Sequence, residues 1–447
     1  MPESPRVSVF IASYNHAQFL PECLDSILTQ TFQDFEIVVV DDGSTDGSHE
    51  ILIDYQQRFP EKILYYWHPG QVNKGISASC NLAISKARGE YLAWIGSDDA
   101  WYPEKLVQQV ALLDNHPRYG LVYSYAHFID ESGNRITGLA GVDVTHDTNP
   151  LGRIIQSCHT PAQTLVIRRD CLEDVGVFDE NLVYSDWELM IRIFACWEVG
   201  FIGSPLAKYR LHTTNISKGI DPKINLQRIL AMFQTIRDKA NYIGGTLLLP
   251  RNQAFLSLQL AFHHYCVGNL EEAKNNLSRA FEEDPSLSQD VNYFNDWLNS
   301  WKPEYYNTSH GHFGFWVIAN LPPQIIIPFR DKLLELQFNH PDTKEFFIRR
   351  GIEWGSAQKY PNGVTEIFSD FPVCIPLPRV WKDQVLREVF PTLLFKSYKV
   401  GDISKVRQYW VKTIQSNPSW LRNRGIWSVG LNAFLRPGKV SKLSREA

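Results

Sequence analysis

The sequence predicts an α/β fold in the first half of the chain and an all-helical second half. From residue 6 to residue 95, short apolar runs alternate with helical patterns at the spacing of a doubly wound, mostly parallel sheet. Two of these runs end in paired aspartates, Asp41-Asp42 and Asp98-Asp99. Ligands bind beyond the carboxyl ends of such strands, so the two pairs indicate one pocket. Because the carboxylates would repel one another there, the pattern favours an enzyme that binds a cation and a nucleotide.

The individual elements follow from local patterns. Residues 36–40 are β-branched and almost continuously apolar, as expected of a strand covered on both faces. Pro21 lies in the first turn of a helix whose apolar residues fall on one face. The predicted strands are 6–11, 36–40, 63–67, 91–95, 121–128, 164–168 and 208–212. The predicted helices are 21–30, 77–86 and 187–197. A further helix is predicted to be capped by Ser44 or Asp46 and to end at about residue 59.

Length and composition exclude several classes of protein. A chain of 447 residues is too long for one ordinary core, so at least two domains are expected. A net charge of -5 argues against nucleic acid as the main partner. The seven cysteines show no CxxC spacing, no secretory leader is visible, and no run approaches ~20 apolar residues. We therefore expect a cytoplasmic protein, with peripheral contact at the inner face of the membrane left open.

The second half contains two helical patterns of similar design. Residues 254–287 place Gly268-Asn269 between two helical runs and end in Asp284-Pro285. Residues 394–421 repeat this arrangement with Gly401-Asp402 at the turn and Asn417-Pro418 at the end. Both resemble the tetratricopeptide helix pair, which needs stacked neighbours to bury its faces. The sequence therefore predicts a helical domain over residues 223–447 with these two pairs, and a protein partner for it is left open.

Five motifs of the first half resemble family 2 glycosyltransferases. They are VSVFIASYN at 7–15, SILTQT at 26–31, EIVVVDDGSTD at 36–46, RGEY at 88–91 and SDD at 97–99. The similarity covers about residues 6–218. It implies a GT-A fold, an αβα sandwich with a mostly parallel sheet, over a nucleotide-sugar domain at residues 1–222.

The resemblance assigns one group of residues to the nucleotide of a sugar donor. Tyr14 would stack on a uracil or thymine ring, Asp42 would accept the imide N–H of that base, and the backbone of Ala12 would line the same site. Asn73 and Lys74 lie where similar enzymes approach the donor, and Lys74 could pair with phosphate. The alternative for Asp41 and Asp42 is that they cap the helix that follows.

The resemblance also implies a Mg²⁺ or Mn²⁺ site. Carboxylate oxygens suit these hard cations, which bridge diphosphate oxygens as well. A serine, Ser97, stands where a strict DXD triplet would begin, so Asp99 is predicted to bind the metal and Asp98 to contact the ribose or to support the ligands. His212 matches a late histidine of the family that completes the metal site. The alternatives are a solvated turn for the aspartates and a structural role for His212; Arg210 could contact phosphate or be a surface charge.

The same family places its catalytic base at the start of a helix. Asp186, in the run YSDWELMIR at 184–192, falls on that aspartate, while Ser185 replaces the acid that usually precedes it. A carboxylate there would take the proton of the acceptor hydroxyl during inverting transfer. Glu188 is a substitute candidate, and the alternative for Asp186 is that it only caps the helix. The run HTPAQ at 159–163 could line the acceptor side or form a turn.

These residues together predict a hexosyltransferase of polysaccharide biosynthesis. It would be inverting and metal-dependent, and would move a sugar from a UDP- or dTDP-linked donor to the hydroxyl of a glycan or lipid-linked saccharide. The alternative is a degenerate nucleotide binder whose helical half is a scaffold for protein partners. Asp42, Asp98, Asp99, Asp186 and His212 are all present together, and this favours the enzyme.

Overall fold

The computed structural model describes residues 4–213, 215, 221–239, 249–299, 313–322, 379–400 and 402–422, with isolated residues between 329 and 352 and between 426 and 434. The chain divides into two compact units, Met1–Val267 and Gly268–Ala447. The sheet and both aspartate pairs lie in the first unit.

Nine strands among the described residues form one sheet. They are β1 (Val7–Ser13), β2 (Phe35–Asp41), β3 (Ile63–Trp67), β4 (Tyr91–Trp94), β5 (Ala100–Trp101), β6 (Tyr119–Ile129), β7 (Arg135–Ala140), β8 (Val166–Arg168) and β9 (Glu198–Arg210). Their order is β3-β2-β1-β4-β8-β6-β9-β5, and β7 pairs with β6. The first four strands of this order are parallel, whereas β8 runs antiparallel to both β4 and β6. The sheet is thus parallel where the alternating pattern predicted it and mixed beyond β4.

Helices cover both faces of this sheet. Those of the first unit are α1 (Leu20–Leu28), α2 (Ser48–Arg58), α3 (Ile76–Lys86), α4 (Lys105–Asn115), α5 (Pro150–Gln156), α6 (Arg169–Val175), α7 (Ser185–Cys196), α8 (Pro222–Lys239) and α9 (Pro250–Val267). Alternate residues of β1 and β2, such as Val9 and Ile37, form one core with α1, α2 and α4. Helix α3 contacts the same strands without joining that core, so it covers the opposite face. The predicted α/β sandwich is confirmed, and β2 is buried along its whole length as expected.

The first unit extends beyond the predicted boundary at residue 222. Helix α9 packs on α5 and α8, and α7 contacts α5 and α8. The Asn149 side-chain amide donates to the Asn252 side chain at 2.7 Å, and the rings of Trp187 and Phe233 meet edge to face at 5.3 Å. Helices α8 and α9 therefore belong with the sheet, because they cover α5 and α7.

The described part of the second unit is helical, as predicted. Its helices are α10 (Leu270–Glu283), α11 (Val291–Asn299), α12 (Phe313–Asn320), α13 (Arg379–Val400) and α14 (Ile403–Ser416). Helices α13 and α14 pack together, and Asp402 caps α14 by accepting the Lys405 N–H at 3.0 Å. The helices of the other predicted pair, α9 and α10, fall on either side of the division between the units. The tetratricopeptide-like repeat stays a prediction.

A membrane crossing needs a long and strongly apolar helix. None of the helices in the described ranges meets both conditions.

Candidate active site

A cavity of about 490 Å³ opens beyond the carboxyl ends of β1, β2 and β4. Most of the residues predicted for the site line it: Ala12, Tyr14, Asp42, Asn73, Asp98, Asp99 and Asp186. Lys74 and His212 border the cavity through their contacts with Asp42 and Asp98. The tertiary fold therefore brings together side chains that lie more than 170 residues apart in the sequence.

Asp42 organises the loop on one side of the cavity. Its two carboxylate oxygens accept the backbone N–H groups of Lys74 at 2.7 Å and Gly75 at 2.9 Å. The next residue, Gly43, has a φ of +80°, and a Cβ there would lie 2.7 Å from the Gln71 carbonyl oxygen. Only glycine fits such a close approach of two backbones. Lys74 thus contacts Asp42 through its backbone, and its side chain remains exposed.

Asp41 has a different function from Asp42. It is buried and accepts the backbone N–H of Ser44 at 3.1 Å, which closes the turn before α2. Ser44 in turn accepts the backbone N–H of Asn15 at 2.9 Å, and Asn15 has a φ of +52°. This contact fixes the loop after β1, so Tyr14, 46% exposed, stands at the mouth of the cavity. Asp41 therefore has a structural role in this turn, but the capping alternative does not describe it, because the N-cap of α2 is Gly47, with no side-chain capping hydrogen bond.

Asp98 and Asp99 point to different partners. An Asp98 oxygen lies 2.9 Å from Nε2 of His212, whereas Asp99 accepts the backbone N–H of Arg210 at 2.8 Å. A Cβ on Gly96 would lie 2.7 Å from an Asp98 oxygen, so glycine at that position lets the carboxylate fold back against the turn. Asp99 and His212 are the predicted metal ligands. In the fold, His212 contacts Asp98, while Asp99 accepts a backbone N–H from β9.

The surroundings of Asp98 and Asp99 shift the pKa values of these two carboxyl groups in opposite directions. Burial alone would raise the pKa of Asp98, but the hydrogen bond from His212 and the neighbouring His16 lower it below its ordinary value. Burial raises the pKa of Asp99 well above its ordinary value, and the charge of Asp98 adds to this effect. Asp98 is thus the more acidic member of the pair.

Arg210 stabilises the turn that carries Asp98 and Asp99, here called the aspartate turn. Its side chain is 1% exposed, and its guanidinium donates to the backbone carbonyls of Asp98 at 2.7 Å, Asp130 at 3.1 Å and Glu131 at 3.2 Å. It also pairs with the Glu22 carboxylate. Arg210 therefore neither contacts a phosphate site nor lies on the surface; it is a buried support for the turn.

One group of side chains at the cavity can hold a divalent cation. His16, Asp98 and His212 each offer a donor atom, and these atoms lie within 4.8 Å of one another. Imidazole nitrogen and carboxylate oxygen are common ligands of Mn²⁺ and Zn²⁺. Burial lowers the pKa of His16, so its imidazole is neutral at pH 7 and able to bind a metal. The residues present fit a metal, with Asp98 as the carboxylate ligand where Asp99 is the predicted one.

Asp186 lies in the first turn of α7, which begins at Ser185. It is half-buried at the cavity, and one of its oxygens accepts the backbone N–H of Trp187 at 2.8 Å. Burial raises the pKa of Asp186 despite this hydrogen bond. The Ser185 hydroxyl is 2.6 Å from that of Ser77 on α3, which ties the start of α7 to α3 within the cavity lining. A half-buried carboxyl group with a raised pKa suits a general base.

Glu188, two residues after Asp186, lies outside the cavity lining. Its carboxylate is 1% exposed and forms two bonds with Arg192, at 2.6 and 2.9 Å. Arg192 also donates to the carbonyls of Gly176 and Val177. Glu188 is absent from the cavity lining, so it anchors α7 rather than serving as a substitute base.

The structure adds Gln163 to the site. Its side chain is 3% exposed and lines the cavity, and its amide nitrogen has no hydrogen-bond partner in the described part of the chain. Its backbone carbonyl accepts the indole N–H of Trp101 at 2.7 Å, which fixes the residue in place. Sequence reasoning placed the run 159–163 either at the acceptor side or in a turn, and a lone glutamine carries no pattern that decides between them.

Comparison with known proteins gives a family match. Residues 8–176 match the model of the family described as glycosyl transferase family 2. Three similar proteins are uncharacterized glycosyltransferases of Methanocaldococcus jannaschii (30% identical over 214 residues), Rickettsia typhi (31% over 225) and a Nostoc species (30% over 218). Each alignment covers 47% of this chain, and it covers 72%, 67% and 66% of the respective relatives.

Solved structures with a similar fold include two complexes with nucleotide sugars. One is S. aureus TarS 1-349 in complex with UDP-GlcNAc, at 18% identity and a TM-score of 0.48, covering 77% of this chain and 91% of that one. Another is the mannosyltransferase PcManGT from Pyrobaculum calidifontis in complex with GDP-Man and Mn²⁺, at 20% identity and a TM-score of 0.43, covering 68% and 83%.

Proposed function

Because the chain belongs to glycosyl transferase family 2 and is a glycosyltransferase, we propose that its cavity transfers a hexose with inversion from a UDP- or dTDP-linked donor. The observation that carries the proposal is the position of Asp186. Its carboxyl group, with a raised pKa, lines the same cavity as Asp42 and Asp98. A base, a nucleotide site and a cation site thus share one space of about 490 Å³, which is large enough for a nucleotide sugar.

The nucleotide is proposed to occupy the side of the cavity formed by β1 and β2. Tyr14 offers an exposed ring for stacking on the base, and the backbone of Ala12 lines the same wall. Each Asp42 oxygen accepts one backbone N–H and keeps a further lone pair for the imide N–H of uracil or thymine. Asn73 lines the cavity beside it, and the exposed Lys74 ammonium is available to a phosphate.

Transfer is proposed to proceed by a single displacement at the anomeric carbon. Asp186 takes the proton of the acceptor hydroxyl as that oxygen attacks the anomeric carbon from the face opposite the diphosphate. The new glycosidic bond forms while the bond to the phosphate oxygen breaks, and the nucleoside diphosphate departs with the electron pair. Asp98 and His212 would hold a Mg²⁺ or Mn²⁺ ion, which when bound offsets the negative charge of the leaving group. The acceptor is proposed to be a glycan or lipid-linked saccharide reached from the cytoplasm.

Binding and donor hydrolysis test this function. We expect the full chain to bind UDP in a calorimetric titration with Mn²⁺ present, and to hydrolyse one member of a panel of UDP- and dTDP-sugars slowly without an acceptor. Excess EDTA should stop the hydrolysis and added Mn²⁺ should restore it, because the departing diphosphate would otherwise lack charge compensation. Turnover that is unchanged in EDTA would refute the metal requirement. Failure to bind UDP would instead favour the scaffold, whose helical domain binds protein partners.

Gln163 provides a test of how the cavity recognises a sugar. We expect Gln163→Leu to lower kcat/KM for the preferred donor or acceptor roughly 2- to 10-fold, the equivalent of one hydrogen bond of about 0.5–1.5 kcal/mol. The free energy of unfolding should stay the same or rise, because the unpartnered amide leaves the interior. The control is Gln57→Leu on the exposed surface of α2. Unchanged kcat/KM for every donor and acceptor would remove Gln163 from sugar recognition.

A further inference from the structure

His16 lies in the loop between β1 and α1, a segment that the family motifs do not assign to the metal. One of its ring nitrogens lies within 4.8 Å of the donor atoms of Asp98 and His212, and those two donors are already 2.9 Å apart. The rings of His16 and His212 are nearly perpendicular, at 87°, with centroids 5.6 Å apart. Around a cation with bonds of about 2.0–2.2 Å, neighbouring ligand atoms lie roughly 3–3.5 Å apart. A small inward movement of His16 would therefore complete a three-ligand site.

The His16 ring is oriented by its neighbours. Its Nδ1 is 2.8 Å from the hydroxyl of Ser97, and its backbone N–H donates to the hydroxyl of Ser48 at 3.2 Å. If Nδ1 carries the proton and donates to Ser97, the lone pair is on Nε2. A hydrogen bond from the second ring nitrogen is what usually fixes the orientation of a metal-binding histidine. In that tautomer, Ser97, which departs from the strict DXD triplet, orients the His16 ring.

A purely structural role for His16 makes a different prediction. The ring also packs edge to face against Phe19, with centroids 5.9 Å apart. If His16 served only this packing, its removal would lower stability and leave metal affinity unchanged. Metal affinity and stability therefore separate the two roles.

We propose that His16 is a third protein ligand of the divalent cation, together with Asp98 and His212. This inference rests on the proposed metal-dependent function and extends it. Two imidazoles and one carboxylate form a nitrogen-rich donor set, whereas Mg²⁺ binds mainly carboxylates and water. The site accordingly prefers Mn²⁺, Co²⁺ or Zn²⁺ to Mg²⁺.

The test uses the full chain and the metal alone. Wild type, His16→Ala and the control His146→Ala are titrated with Co²⁺, followed by its visible d–d absorption, and with Mn²⁺ and Mg²⁺ by calorimetry. His146 is a suitable control because its side chain is 92% exposed. We expect His16→Ala to weaken Co²⁺ and Mn²⁺ binding about 10-fold or more and to change the Co²⁺ spectrum, with a smaller effect on Mg²⁺. His146→Ala should behave as wild type.

A second variant separates ligand loss from misfolding. His16→Asp replaces the nitrogen with oxygen, so it should still bind a cation but shift the ratio of Mn²⁺ to Mg²⁺ affinity towards Mg²⁺. Thermal unfolding of each variant reports its stability. Wild-type Co²⁺ affinity and spectrum in His16→Ala would overturn the inference. Because UDP binding and donor hydrolysis are measured separately, that result would leave the proposed function standing.

Discussion

Asp186→Asn is expected to abolish sugar transfer, lowering kcat by about 10²- to 10⁴-fold, while the protein stays folded and still binds UDP. The amide keeps an oxygen for the Trp187 N–H but cannot accept a proton from the acceptor hydroxyl. Turnover with the preferred donor and calorimetry with UDP measure the two effects. Wild-type turnover in this variant would remove Asp186 from the mechanism.

The raised pKa of Asp186 determines the direction of its pH effects. The base works only when ionised, so kcat/KM of the wild type should fall as the pH drops through a pKa above the ordinary ~3.9 of aspartate. The folded state holds this proton more tightly than the unfolded state does. Asp186 therefore lowers stability as the pH rises from the unfolded to the folded pKa. At pH 7, Asp186→Asn should unfold at the same temperature as wild type or at a higher one.

Glu188→Gln is the control for this prediction, because Glu188 lies in the same helix and should give the opposite result. It breaks the buried ion pair with Arg192, which we expect to cost about 3–5 kcal/mol of stability. The fraction that remains folded should retain its turnover, since Glu188 lies outside the cavity lining. A selective loss of turnover in Glu188→Gln would restore it as a candidate base.

Asp98→Asn is expected to remove metal binding and to lower kcat at least about 100-fold, because the metal contributes several kcal/mol of charge stabilisation. Asp99→Asn should keep metal affinity close to wild type. Its amide oxygen can still accept the Arg210 N–H, and a neutral side chain replaces a carboxyl whose pKa is already well raised. Co²⁺ absorption and donor hydrolysis measure both variants.

The reverse outcome would favour the assignment made from the sequence. If Asp99→Asn lost the metal and Asp98→Asn kept it, His212 would have to turn away from Asp98 when the cation binds. The contrast between the two variants is informative because they are adjacent and chemically identical. Only their partners in the fold differ.

Local patterns predicted the first half of the sheet well. β3 was predicted at 63–67 and is found there, and β1 and β2 differ from their predicted bounds by one or two residues. Apolar runs and turn residues are local properties, so they mark such elements reliably. The family resemblance, by contrast, gave a nucleotide role to Asp42 and none to Asp41, and Asp41 closes a turn in the structure.

The remaining features depend on contacts that no local pattern records. Which of the two aspartates faces His212 depends on the backbone N–H of Arg210 in β9. Asp99 accepts this N–H, although the two residues are 111 positions apart. Gln163 is placed by the indole of Trp101. The first unit includes α9 because that helix packs on α5 and α8, although the sequence pattern changes at residue 222. Each of these is a tertiary contact between segments far apart in the chain.

The support that Arg210 gives to the aspartate turn limits how this enzyme can be divided or recombined. Arg210 pairs with Glu22, 188 residues earlier, and holds the carbonyl of Asp98. The segment that matches the family model ends at residue 176, before either Asp186 or Arg210. A nascent chain therefore has to emerge through β9 before its aspartate turn gains this support. An exchange of modules between relatives would have to carry α1 and β9 together, because one buried guanidinium joins these two distant segments of the first unit.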